Sequence, residues 1–106
     1  MSLAIHNKES LLQRIAGHGS QIKSYGVKEL GLFGSFALNT RIRPDSDIDF
    51  LVEFEPGSKT FDNFMNLSFY LEELLGRKVE LVTQQSLSKY IGPHILKQVE
   101  HVALQP

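Results

Sequence analysis

No cysteine occurs among the 106 residues, so disulfide frameworks, zinc–thiolate sites and cysteine nucleophiles are excluded. No apolar run comes near the roughly 18 residues that a membrane-spanning helix needs. The opening residues, MSLAIHNKES, lack the basic-then-apolar order of a secretory signal, and a cytoplasmic location is the expectation. An excess of charge of one sign is missing too: 11 Lys and Arg against 12 Asp and Glu give a formal net charge of -1. That removes the bulk electrostatic case for direct nucleic-acid binding, and any polyanion has to be held by a local patch. Repeats, low-complexity tracts and linkers are absent as well. What remains is an ordinary globular composition, 42% hydrophobic and 22% charged, in a chain long enough for a single domain over residues 1–106 and too short for two.

Periodicity gives the order of elements. Residues 7–16 read as a helix with Leu11, Leu12 and Ile15 on one face, and residues 20–25 as a second short helix stopped by Gly26. Residues 27–33 read as a strand that Gly34-Ser35 breaks, with a helical turn expected over 36–38. Residues 40–46, TRIRPDS, carry turn chemistry. From Asp47 the alternation is clean: Ile48, Phe50, Val52 and Phe54 face one way, and Asp47, Asp49, Leu51 and Glu53 the other. Residues 61–75 form the longest predicted helix, its buried stripe made of Phe61, Phe64, Leu67, Leu71, Leu74 and Leu75, with Gly76 as the stop. Residues 78–83, KVELVT, are a third strand with Glu80 on its open side, residues 87–91 a short helical turn, and residues 93–102 a final helix. The expected architecture is α/β (α+β): a small mixed three-stranded sheet with helices on one face and an open, acidic face opposite.

The chemistry gathers at the two ends of residues 34–54. Same-face neighbours on a strand are roughly 6.5–7 Å apart at the backbone, so Asp47 and Asp49 can converge on cations spaced about 3.5–4 Å. An all-oxygen set suits magnesium where phosphates complete its shell. Glu80 is the one open-face acid on the third strand and a candidate third ligand. At the other end, Gly34 lets backbone N–H groups approach a phosphate closely, and Ser35 adds a hydroxyl. Arg41 and Arg43, in the intervening loop, are candidates to offer positive charge to a triphosphate.

The order strand, Gly-Ser, eleven residues, Asp-Ile-Asp, apolar strand resembles the signature of the polymerase-β-like nucleotidyltransferase superfamily. FGSFA (33–37) and RPDSDIDFLVEF (43–54) resemble its smallest branch, the minimal nucleotidyltransferases or MNT domains, the MntA-type antitoxins among them. KVELVT matches the strand that supplies the family's third acid, and the likeness spans nearly the whole chain. The resemblance implies transfer of AMP from ATP to an acceptor hydroxyl with release of pyrophosphate. It further implies two magnesium ions on Asp47, Asp49 and Glu80, the β- and γ-phosphates at Gly34 and Ser35, and a HEPN-domain toxin as the partner that is adenylylated. Three departures stand out. Ala37-Leu38-Asn39 replaces the family's usual Ala-Arg-Gly, the loop to Asp47 is slightly longer, and Glu80 stands where an Asp is common. They open a second reading, in which the site is degenerate and the protein acts as a binding module on its toxin.

Elsewhere the sequence is quieter. His6, His18, His94 and His101 show no metal-ligand spacing, and no His–Asp set accompanies Ser35 to make it a nucleophile. Helical spacing puts Phe69 outside the buried stripe with Met65 and Tyr70 beside it, either packed under a loop or forming an exposed partner surface. Acceptor identity and oligomeric state, a homo-oligomer included, stay open at the level of sequence.

Overall fold

The computed structural model describes residues 4–39, 42–43, 45–87 and 92–104. Helix α1 (Lys8–Ala16) starts at Asn7, whose side-chain oxygen accepts the Ser10 N–H at 2.8 Å. It buries Leu11 and Ile15, and α2 (Gly19–Lys23) buries Ile22. Strand β1 (Val27–Phe33) runs straight into the single-turn helix α3 (Gly34–Leu38). Strand β2 (Ile48–Phe54) follows the loop. Helix α4 (Phe61–Leu75) is bounded by two sequence signals: the Thr60 hydroxyl accepts the Asn63 N–H at 3.1 Å, and Gly76 ends it at φ 65°. Strand β3 (Val79–Thr83), a 3-10 turn at Gln84–Ser86, helix α5 (Gly92–Gln98) and strand β4 (Glu100–Val102) complete the order.

Among the described residues the sheet has four strands in the order β3-β2-β1-β4, one more than the sequence suggests. The extra strand lies within residues 93–102, read from the sequence as continuous helix. The chain leaves α5 at Gln98 and lays Glu100, His101 and Val102 against Leu32, Gly31 and Leu30 of β1. This supplies hydrogen-bond partners to what would otherwise be a free edge of β1. Of the turn expected at 87–91, residues 88–91 lie outside the described residues, and Leu87 itself is extended.

One face of the sheet is the core. Ile48, Phe50 and Val52 pair in register with Val79, Leu81 and Thr83 on one side. Phe50 and Val52 pair with Leu32 and Leu30 on the other. These side chains pack with Leu11 and Ile15 of α1 and with Leu67, Leu71, Leu74 and Leu75 of α4. Burial of such side chains is worth about 1.5–3 kcal/mol each and is the main force holding the layers together. Phe61 departs from its expected place in the α4 stripe and is 76% exposed. It opens α4, where a Cβ leans toward the N-terminus and away from the leucine stripe of the later turns. Tyr70 is covered by Tyr25, ring centroids 5.6 Å apart, whereas Phe69 is 60% exposed. Among the described residues no helix is long and apolar enough to cross a membrane.

Candidate active site

Strand directions determine where the chemistry collects. β1 is antiparallel to β2 and β3 is parallel to it. The C-terminal end of β1 therefore lies beside the N-terminal ends of β2 and β3. Gly34 follows β1, Asp47 precedes β2, Asp49 is its second residue and Glu80 is the second residue of β3. In register, Asp49 lies between Phe33 on one side and Glu80 on the other. The open face carries Asp49, Leu51 and Glu53 on β2, as the alternation predicts, because Ile48, Phe50, Val52 and Phe54, between and beside them on the same strand, turn to the core face.

The Gly34 turn and the Asp49 carboxylate lie directly against each other. Gly34 has φ 76°, a conformation that costs a side-chain-bearing residue free energy, and a Cβ there would overlap Asp49 Oδ2. Glycine is thus required twice, by its own backbone and by the carboxylate resting on it. The Ala37-Leu38-Asn39 departure divides into two effects. Asn39 closes α3 at φ 54°, the left-handed conformation that Asn tolerates better than other non-glycine residues, so the turn of the usual glycine is kept. The Asn39 side chain also accepts the Lys8 N–H at 3.1 Å, joining α3 to the start of α1. Leu38, in the position where the resemblance leads one to expect arginine, is 59% exposed and offers no charge.

Asp49 is half-buried, and its pKa is pushed up to about 6 from an ordinary 3.8, first by burial, then by the negative charges of Glu80 and Asp47. These carboxylates therefore act on one another electrostatically. Among the described residues no three His, Asp or Glu side chains stand together closely enough to hold a cation as placed. The donor chemistry nevertheless fits a hard divalent ion: every donor is an oxygen, and the excess negative charge that raises the Asp49 pKa is what such an ion neutralises. Arg43 presents an exposed side chain near these acids in sequence, and its backbone N–H donates to Ser46 Oγ at 2.8 Å. Arg41 lies outside the described residues. Further along the open face, a hollow of about 310 Å³ is lined by Glu29, Gly31, Leu51, Glu53, Gln84 and Val99, among others. Val99 reaches over Gly31, where a Cβ would come within 2.8 Å of its Cγ2, so the segment after α5 partly covers the face expected to be open.

Sequence reasoning passed over Arg77. It lies beneath the loop that leads into Asp47, donates to backbone carbonyls there and is 9% exposed. Its position directly after a helix-stop glycine and before a strand is the one sequence signal that it is held in place.

A sheet with two acids entering its central strand and a Gly-Ser turn against them defines the nucleotidyltransferase class. The nucleotidyltransferase domain model matches residues 12–102, and the chain belongs to that family as a minimal, MNT-type member. It is 35% identical over 101 residues to the protein adenylyltransferase MntA of Thermococcus cleftensis, across 94% of this chain and all of the relative. A solved chain assigned as a minimal nucleotidyltransferase superposes with a TM-score of 0.75 at 33% identity, covering 92% of this chain and 96% of the other. The same fold occurs in a complex of a Shewanella oneidensis MNT antitoxin with a tri-AMPylated HEPN toxin, with a TM-score of 0.61 at 18% identity over 91% of this chain and 71% of that one. The chain is accordingly a nucleotidyltransferase-type enzyme.

Proposed function

We propose that this enzyme transfers AMP from ATP to a hydroxyl of a partner protein, and that the partner is a HEPN-type toxin which the transfer silences. The observation that supports the reading is the contact between the Gly34 turn and the Asp49 carboxylate. The end-to-end relation to a protein adenylyltransferase supports the acceptor being a protein. Gly34 and Ser35 hold the β- and γ-phosphates through backbone N–H groups and the serine hydroxyl, and Arg41 and Arg43 add positive charge from the loop. Asp47, Asp49 and Glu80 would hold magnesium, which when bound would supply positive charge to acidify the attacking hydroxyl and to steady the leaving pyrophosphate. The acceptor oxygen bonds to the α-phosphorus, the bond from that phosphorus to the α–β bridging oxygen breaks, and pyrophosphate leaves. Glu80, exposed on an edge strand, takes the hydroxyl's proton.

The exposed Leu38 in place of an arginine favours a second reading, in which the protein binds its toxin and blocks it by contact. ATP labelled at the α-phosphate, supplied with magnesium and the co-encoded partner, separates the two. Label on the partner that disappears in Asp47→Asn and Asp49→Asn is the outcome expected of the enzyme. A partner that binds, is neutralised and stays unlabelled would establish the contact mechanism instead.

A further inference from the structure

Arg77 sits between the segment that leads into Asp47 and the helix that begins at Gly34. It follows Gly76 at the end of α4 and enters β3, three residues before Glu80. Its Nε donates to the Ile5 carbonyl at 2.6 Å, and its Nη1 donates to the carbonyls of Arg43 at 2.7 Å and Ser46 at 3.1 Å. Its guanidinium carbon stands 5.0 Å from the centre of the Phe36 ring. Apart from Ile5, each contact has a candidate site residue close behind it in the chain. Ser46 immediately precedes Asp47, and Arg43 and Ser46 are joined by their own hydrogen bonds, Ser46 N–H to Arg43 O at 3.0 Å and Arg43 N–H to Ser46 Oγ at 2.8 Å. Phe36 belongs to α3, two residues beyond Gly34. The Lys78 carbonyl, next along the chain, accepts the Ile48 N–H at 3.0 Å and aligns β3 with β2. One planar group therefore grips the segment that delivers Asp47, lies against the helix that begins at the phosphate turn, and is covalently fixed to the strand of Glu80.

We infer that Arg77 is the positioning residue of this site. It sets where Asp47 stands relative to Asp49 and Glu80, and where the Gly34 turn stands relative to all three. The inference rests on the nucleotidyltransferase reading of those acids. The role needs arginine: the fork donates from two different nitrogens to separate chain segments while its flat face lies on an aromatic ring, and a lysine ammonium is a point donor with no such face. A purely structural arginine would make similar bonds, and the two roles differ in what its loss does to the acids once folding is accounted for.

The test uses the full chain and Mn²⁺ as the probe, its binding followed by water-proton relaxation with a non-hydrolysable ATP analogue present, so that no turnover is needed. Arg77→Lys and Arg77→Met are compared with wild type at a temperature where circular dichroism shows each to be folded. Loss of a residue that orients ligands typically weakens metal binding by about 10- to 100-fold, and that is the range expected here, with kcat for AMP transfer falling more than KM for ATP rises. Folded variants that bind Mn²⁺ as wild type does would overturn the inference and leave Arg77 a structural residue. Wild type that shows no Mn²⁺ binding distinguishable from Asp49→Asn would instead overturn the site reading itself, and with it the role of Arg77. Should neither Arg77 variant fold, Phe36→Leu removes the ring face and keeps the hydrogen bonds. Mn²⁺ binding weakened about tenfold in it supports the inference, at the low end of what outer contacts contribute, and unchanged binding overturns it.

Discussion

Asp49 lies between Glu80, its cross-strand neighbour, and Asp47, two residues back, and burial with these charges pushes its pKa up to about 6. In the unfolded chain the same group titrates near 3.8. The folded state therefore holds the Asp49 proton more tightly than the unfolded state between those values. Its contribution to stability is least unfavourable below pH 4 and becomes fully unfavourable as pH rises through 6. Asp49→Asn removes the charge and keeps the shape. It is expected to abolish AMP transfer while raising the metal-free melting temperature by a few degrees at pH 8, with the gain fading toward pH 4. Thermal melts across that range check the sign, and a variant less stable than wild type at pH 8 would be the contrary result. The shared face of Asp49 and Glu80 was legible in the sequence because strand alternation assigns faces without any tertiary information. Arg77 was not legible: its partners are backbone carbonyls 31 to 72 residues away, which carry no side-chain identity for a pattern to report.

Among the elements, α4 and β2 were readable and β4 was not. α4 runs over fifteen residues with a Thr N-cap, a left-handed Gly stop and leucines at helical spacing, so its signals agree. β4 is three residues long, and Ile95, Leu96 and Val99 in front of it mimic a helical face. The open edge of β1 decides its conformation, and that edge is a feature of the assembled sheet. The faces of α4 can be checked two residues apart. Leu71 is fully buried and Phe69 is 60% exposed. Leu71→Ala is expected to lower the unfolding free energy in urea by about 2–5 kcal/mol, and Phe69→Glu to change it by no more than about 0.5 kcal/mol. Comparable losses from both would mean that the helix is rotated on the sheet.

For the molecule as a whole, topology brings the site together. The antiparallel β1–β2 pair and the parallel β2–β3 pair put the Gly34 turn, Asp47, Asp49 and Glu80 at one end of the sheet, though Glu80 is 31 residues from Asp49 in sequence. The helix that joins β2 to β3 is what a parallel pair requires, and its leucines form the core under that end. Glu80 is the member of the acid set most distant in sequence and the one whose type departs from the Asp expected by resemblance, so it is the most demanding place to test the account. The deciding measurement is mass spectrometry of the co-encoded partner after incubation with ATP, magnesium and either wild-type protein or Glu80→Gln. The account predicts AMP on a partner hydroxyl with wild type and none with Glu80→Gln. A partner left unmodified by wild type, or modified equally by both proteins, would contradict it.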